Sequence, residues 1–126
     1  MMYMTFIFVI LAGALEGLAE TLKSHYYRFA QKYPSANPAW WNPDESWRNK
    51  YKNGDPNQGE KFPGSTTFFV WLTDAYHMVR TFRNACFMLA IVLHASSPLP
   101  IWLDYLIHLG CYQIGFTLVY DIIFKK

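Results

Sequence analysis

The chain has 126 residues, enough for one domain, and a formal net charge of +2 at pH 7. Charged residues make up only 16% of it and aromatic residues 19%, whereas soluble domains carry about a quarter charged residues. The small net charge, and lysines and arginines that form no long run, exclude a nucleic-acid-binding protein. The composition predicts an all-α integral membrane protein with three transmembrane helices, or four, and a long ordered interfacial loop.

The first predicted span covers residues 3–22. No charged residue occurs from Met1 to Leu15, and the apolar pattern continues to Leu22 with only Glu16 and Glu20 inside it. About 20 such residues suffice to cross a bilayer as a helix. Because no lysine or arginine precedes the apolar stretch, we expect a retained span and not a cleaved signal peptide.

Residues 24–64 form the predicted loop, since they contain five of the seven prolines. The loop is also rich in tryptophan and tyrosine, which are rare in disordered segments, so we expect it to fold against the helix ends at the membrane surface. Arg48 and Lys50 follow Trp47 closely in the sequence, and together with Arg80 they are predicted to bind phosphate or lipid headgroups. A solvated charged loop is the equal alternative for Arg48 and Lys50.

The second predicted span covers residues 66–96, with Ser65 or Thr66 as its N-cap. Its length of about 45 Å exceeds the hydrocarbon thickness. The helix must therefore tilt, protrude or break near 80–84, and a break there gives the four-span alternative. The third span covers residues 101–123, after Pro98 and Pro100.

The distribution of basic residues predicts the topology. Residues 23–61 hold seven of the eleven lysines and arginines, and short cytoplasmic loops are enriched in them. We expect loop 23–64 in the cytoplasm and the N-terminus outside.

The stretch NPDESWRNKYKNGDP followed by STTFFVWLTDAYH resembles a pattern in small bacterial membrane proteins; the resemblance names no family and implies no activity. We expect the bacterial inner membrane.

Three pairs of ionisable residues fall inside the predicted spans at helical spacing: Glu16 with Glu20, Asp74 with His77, and Asp104 with His108. Residues three or four apart share one helical face. An ionisable group inside a bilayer is costly unless it is paired, so each pair is a hypothesis about function.

The pairs on the first two spans are predicted to form an inner site. Its metal ligands would be Glu20, His25, Asp74 and His77; Glu16, Glu20 and His77 would act in catalysis, and Arg80 would orient a phosphate. Carboxylate and imidazole ligands suit zinc, iron or manganese. The alternatives are ion pairs of Glu16 and Glu20 with Arg80, Lys23 or His77 that hold the helices together, and a path for protons or ions.

His94, Asp104 and His108 are predicted to form a secondary polar cluster near the opposite surface. We expect this cluster to be solvated and interfacial, with a second functional site as the alternative. Cys86 and Cys111 lie in apolar segments without close Cys or His partners, so we expect them to pack as small apolar residues.

These features favour a metal-dependent hydrolase that acts on a lipid or lipid-linked substrate. The lipid bilayer is its expected partner, and we expect it to bind no nucleic acid. The alternatives are a non-enzymatic accessory subunit of a larger membrane complex or a homo-oligomer, and an ion-conducting, proton-conducting or holin-like protein.

Overall fold

A computed structural model describes residues 2–94 and 97–125 of the chain. Helices account for the regular structure of this part, which contains one isolated bridge, between Tyr51 and Glu60, and no strand. The chain divides into two compact units, one formed by Met1–Leu18 with Phe82–Lys126 and the other by Ala19–Thr81. The helices are α1 (Met2–Ser24), α2 (Tyr26–Lys32), α3 (Pro38–Trp41), α4 (Pro43–Ser46), α5 (Ala75–Leu93) and α6 (Ile101–Thr117).

Two helices are long and apolar enough to cross a membrane, at Tyr3–Ser24 and Ile101–Phe124. These correspond to the first and third predicted spans. The second of them consists of α6 and a π-helical extension, Leu118–Phe124. Large apolar side chains along this helix are exposed: Ile101, Trp102, Tyr105, Leu106, Leu109, Ile114, Leu118 and Ile122.

Within the first unit, glycines allow α1 and α6 to approach each other closely. A Cβ atom added at Gly13 would lie 2.0 Å from the carbonyl oxygen of Tyr112, and one at Gly115 would lie 1.9 Å from that of Ile10. Only glycine leaves room for backbone contact at such a crossing, as small residues do between membrane helices. These two positions therefore set the distance between the helices.

The loop between the long helices is folded. Phe29 of α2 is buried and stacks on Trp41, with ring centroids 4.9 Å apart. The Asn49 side-chain amide donates to the carbonyls of Ala39 at 2.7 Å and Thr73 at 2.9 Å, which ties the loop to the segment before α5. Aromatic stacking and these hydrogen bonds give order to a stretch that contains little regular helix.

The sequence predicted a helix from residue 66, but the end of the loop forms turns that side-chain hydrogen bonds hold in place. Ser65 is buried and donates to the Lys50 carbonyl at 2.7 Å, so it links two loop segments. Glu60 accepts hydrogen bonds from the Thr66 hydroxyl and the Gly64 N–H, and these bonds hold the pKa of Glu60 below its ordinary value.

The second predicted span, residues 66–96, differs from the observed helix. α5 begins at Ala75, because Asp74 accepts the backbone N–H of His77 at 2.8 Å and so caps the helix. The preceding residues form turns, including a 3₁₀ turn at Val70–Leu72. α5 continues without a break through residues 80–84, where the four-span alternative required one. Three spans remain a prediction.

Candidate metal centre

His94, Asp104 and His108 form a compact cluster in the first unit. Each offers one metal-ligand atom, and these atoms all lie within 4.8 Å of one another. The Nε2 atom of His94 lies 2.5 Å from Asp104 Oδ2, and the two imidazole rings are perpendicular with centroids 4.9 Å apart. The cluster therefore has the donor types and the closeness that a divalent metal requires.

The turn between α5 and α6 positions the three side chains. His94 follows the last residue of α5, and its backbone N–H donates to the Ile91 carbonyl at 3.2 Å. Pro100, with φ −56° and ψ 139°, precedes the first residue of α6 and places Asp104 in the first turn, where the helix dipole favours a carboxylate. His108 lies one turn later on the same face.

A hydrogen bond fixes the orientation of the His108 ring. Its Nδ1 atom lies 2.8 Å from the backbone carbonyl of Asp104 and 3.7 Å from the carboxylate atom Oδ1. The carbonyl contact is the shorter and a carbonyl can only accept, so Nδ1 carries the hydrogen of this bond and Nε2 is the ring nitrogen left for a metal. Ligating histidines are commonly oriented by a bond of this kind.

Asp104 is held by a second group. The Ser97 hydroxyl donates to Oδ1 at 3.3 Å, which leaves Oδ2 directed to His94. Asp104 is only 7% exposed, whereas the side chains of His94 and His108 are partly exposed. A buried carboxylate is costly unless it is hydrogen-bonded or paired, and Ser97 and the two histidines are its partners here.

An apolar cavity of about 530 Å³ adjoins the cluster. All three donor residues line it, and apolar side chains from α1, α5 and α6 form the rest of its wall, among them Val9, Phe87, Ile91 and Leu109. The Phe6 ring also contacts His108, with centroids 5.2 Å apart. Because Phe6 and Val9 belong to the first two turns of the span Tyr3–Ser24, the cluster lies beside that apolar helix and not beyond its end.

The residues of the predicted inner site have other contacts. Asp74 accepts from the ring atom Nδ1 of His77, 2.8 Å from Oδ2, as well as from the His77 backbone. Glu20 accepts the Ser24 hydroxyl at 2.6 Å, and the His25 ring packs edge-on against Tyr27. Asp74 and His77 are thus brought together as a helix cap. A metal site at Glu20, His25, Asp74 and His77 stays a prediction.

Glu16 forms an ion pair with Arg83 of α5, in the first unit. Bundle-stabilising pairs were expected for Glu16, but with Arg80, Lys23 or His77 as the partner. Arg80 instead lies over the ring of Tyr76, 5.5 Å from its centroid. The contact with Arg83 supports the ion-pair interpretation of Glu16, and the role of Glu16 in catalysis stays a prediction.

Arg48 and Lys50, two of the residues predicted to bind phosphate or lipid headgroups, lie beside aromatic rings of the loop. The Arg48 guanidinium lies over Trp47, 5.4 Å from the ring centroid, and the Lys50 ammonium lies over Tyr51, 5.5 Å from its centroid. These cation–π contacts hold both charges beside aromatic rings. Binding of phosphate by Arg48, Lys50 or Arg80 remains a prediction.

Three features of this centre were not predicted from the sequence. They are the short distances between the donor atoms of His94, Asp104 and His108, the hydrogen bond from Ser97 to Asp104, and the cavity. The i, i+4 spacing of Asp104 and His108 was visible, but the contribution of His94 depends on how the chain reverses after α5. No family model matches the sequence, and neither does any curated protein or solved structure.

Proposed function

We propose that this chain is a membrane protein that binds a divalent transition metal through His94, Asp104 and His108 and uses it for hydrolysis. The supporting observation is that three donor atoms lie within 4.8 Å of one another on the wall of an apolar cavity. Two histidines and one carboxylate are ligands typical of zinc or iron. Manganese is the third candidate.

The number of ligands favours a catalytic role over a structural one. Structural zinc sites are closed by four protein ligands, whereas catalytic sites have three and leave a position for water or substrate. A metal held by these three residues would supply Lewis-acid chemistry, polarising a substrate oxygen and lowering the pKa of a bound water. The protein orients the donors through Ser97 and the Asp104 carbonyl, and the apolar cavity wall limits the access of bulk water.

The membrane environment is part of the proposal. The helices Tyr3–Ser24 and Ile101–Phe124 are long and apolar enough to span, and the exposed apolar side chains of the second would be covered by lipid. We retain three spans and a cytoplasmic loop 23–64 as parts of this proposal because of the basic residues in that loop, and the bacterial inner membrane because of the resemblance noted in the sequence.

Metal analysis of the detergent-purified protein tests the site. We expect about one equivalent of bound zinc, iron or manganese in the wild type, and loss of most of it in His94→Ala and Asp104→Asn, since each removes one of three ligands. His77→Ala is the matched control, because it removes a histidine bonded to a buried aspartate outside the cluster.

The same variants distinguish the two metal sites. If His77→Ala loses the metal while His94→Ala retains it, the site lies at Glu20, His25, Asp74 and His77. A wild-type protein that binds none of these metals would overturn the proposal.

A separate assay tests the reaction. We expect the wild type to cleave fluorogenic ester or phosphoester substrates in a metal-dependent manner and Asp104→Asn to be inactive. A metal-loaded protein that is inactive on both substrates would refute hydrolysis.

A further inference from the structure

We propose that the cavity beside the metal centre binds the single hydrocarbon chain of a lipid, with the polar end of that lipid at His94, Asp104 and His108. This inference names a substrate class for the proposed function and rests on it for the chemistry. Binding of the chain itself depends only on the cavity.

The distribution of polar groups in the cavity indicates a ligand with one polar end. The charged and imidazole groups of the wall are the three donor residues, and apart from the hydroxyls of Tyr105 and Tyr112 the rest of the lining is aliphatic or aromatic. A sugar or nucleotide would leave most of its hydroxyl groups without partners there, at a cost for each. A hydrocarbon chain loses no hydrogen bond in such a site.

The exposure of the lining residues shows how the chain enters. Ile91 of α5 is 66% exposed, and Ile101 and Tyr105 of α6 are 87% and 66% exposed, although all three line the cavity. The cavity is therefore a groove that opens sideways along two helices. If α6 spans the membrane, this opening faces lipid, and a chain can move in from the bilayer without crossing water.

The volume supports one chain and not a whole diacyl lipid. A cavity of about 530 Å³ lies within the range of roughly 300–1,000 Å³ found for small-molecule sites. A second chain would have to remain outside, beside the exposed side chains of α6. We therefore expect fatty acids, lysolipids or single isoprenoid chains to bind best.

Photolabelling tests the cavity without using enzyme activity. The full-length protein in phosphatidylcholine nanodiscs is irradiated with a fatty acid that carries a diazirine in its chain, and labelled peptides are mapped by mass spectrometry. We expect labelling of residues 101–109 that is displaced by excess unlabelled fatty acid. Labelling by annular lipid would instead be unsaturable and would include Ile114, Leu118 and Ile122 equally.

A matched pair of variants locates the chain. Ile91→Trp fills the cavity from an exposed lining position and should reduce labelling of residues 101–109 severalfold. Val92→Trp adds the same bulk at the neighbouring residue, which is 72% exposed and does not line the cavity, and should change it little. Gel-filtration profiles matching the wild type verify that both variants fold.

The other possible results decide against the lipid cavity or against the metal centre. Equal labelling in the two variants, or labelling that does not saturate, overturns the inference. Protein–protein cross-links through residues 101–109 would also overturn it, since a second copy of the chain would then occupy the groove. Saturable labelling that persists in His94→Ala together with a metal-free wild type would retain the lipid cavity and refute the metal centre.

Discussion

Two buried aspartates, Asp74 and Asp104, lie at the amino-terminal ends of helices but face different partners. Asp74 is 1% exposed, and its carboxylate accepts both the backbone N–H and the ring nitrogen of His77. Asp104 meets one histidine from its own helix and one from the turn after α5. The Asp74 carboxylate therefore contacts one residue of its own helix, whereas the Asp104 carboxylate connects α6 to the end of α5.

The helix N-cap formed by Asp74 predicts how substitutions of this residue change stability. Asp74→Ala should lower the free energy of unfolding by about 1–2 kcal/mol, because it leaves the first turn of α5 without its side-chain acceptor. Asp74→Asn should retain most of the stability, since an amide oxygen also accepts the His77 N–H. Thermal unfolding in detergent measures both.

Asp121→Ala is the control for this series. It removes an exposed carboxylate whose contact with Lys125 spans 3.5 Å, and surface pairs of this kind contribute little. Equal destabilisation by Asp74→Ala and Asp121→Ala, or loss of bound metal in Asp74→Asn, would contradict the assignment of Asp74 as a cap.

Sequence alone identified the residue types of the candidate site, but it favoured a metal at Asp74 and His77, whereas the three donors that the structure brings within 4.8 Å of one another are His94, Asp104 and His108. The i, i+3 spacing of Asp74 and His77 fits an N-cap and a metal-ligand pair equally well. Which one applies depends on where the helix starts. At Asp104 the helix start was evident from Pro98 and Pro100, yet the approach of His94 could not be derived from helical spacing.

At the scale of elements, the crossing of α1 and α6 leads to a second prediction. Gly115→Ala should destabilise the protein by about 1–3 kcal/mol, because the added methyl group would overlap the Ile10 carbonyl and push the helices apart. Thermal unfolding in detergent gives the change in stability.

Gly110→Ala is a closely matched control on the same helix. A Cβ atom there has no neighbour within 4 Å, while the gain in helix propensity is the same as at Gly115. The difference between the two variants therefore isolates the packing of α1 on α6. A Gly115→Ala protein as stable as Gly110→Ala would show that the helices do not cross at this distance.

The elements themselves were predicted unequally. Composition and length identified the apolar helices near residues 3–22 and 101–123, since neither stretch contains a helix-breaking proline or many charges. The start of α5 was misplaced by about nine residues, because Thr66 through Thr73 have the apolar character of a helix but form turns held by Ser65, Asn49 and Glu60. The hydrogen bonds of Ser65 to Lys50 and of Asn49 to Thr73 join residues 15 and 24 positions apart, beyond the reach of local sequence patterns.

At the scale of the molecule, the pairing of Glu16 with Arg83 bears on whether α5 can be the second membrane span that the sequence predicts. α5 carries arginines at its centre, and an unpaired arginine in lipid is costly. Glu16 and Arg83 are each partly shielded, with side chains 28% and 17% exposed. The ion pair offsets the charge of α5 inside the first unit and allows its apolar second half to lie beside α1.

A double-mutant cycle tests this pairing. Glu16→Gln and Arg83→Gln should each lower the unfolding temperature, because each leaves the other charge without its partner. The double variant should be more stable than the sum of the single effects predicts, with a coupling energy of roughly 0.5–3 kcal/mol. Additive effects would show that the two side chains do not interact.

The turn between α5 and α6 has a consequence for the order in which the protein assembles. His94, Asp104 and His108 fall within a short stretch of chain, so little loop-closure entropy is lost when they meet. Contacts of low sequence separation also form early in folding. The three candidate ligands can therefore come together as soon as α6 follows α5 during synthesis, and a metal ion bound at that stage would stabilise the helical hairpin onto which α1 then packs.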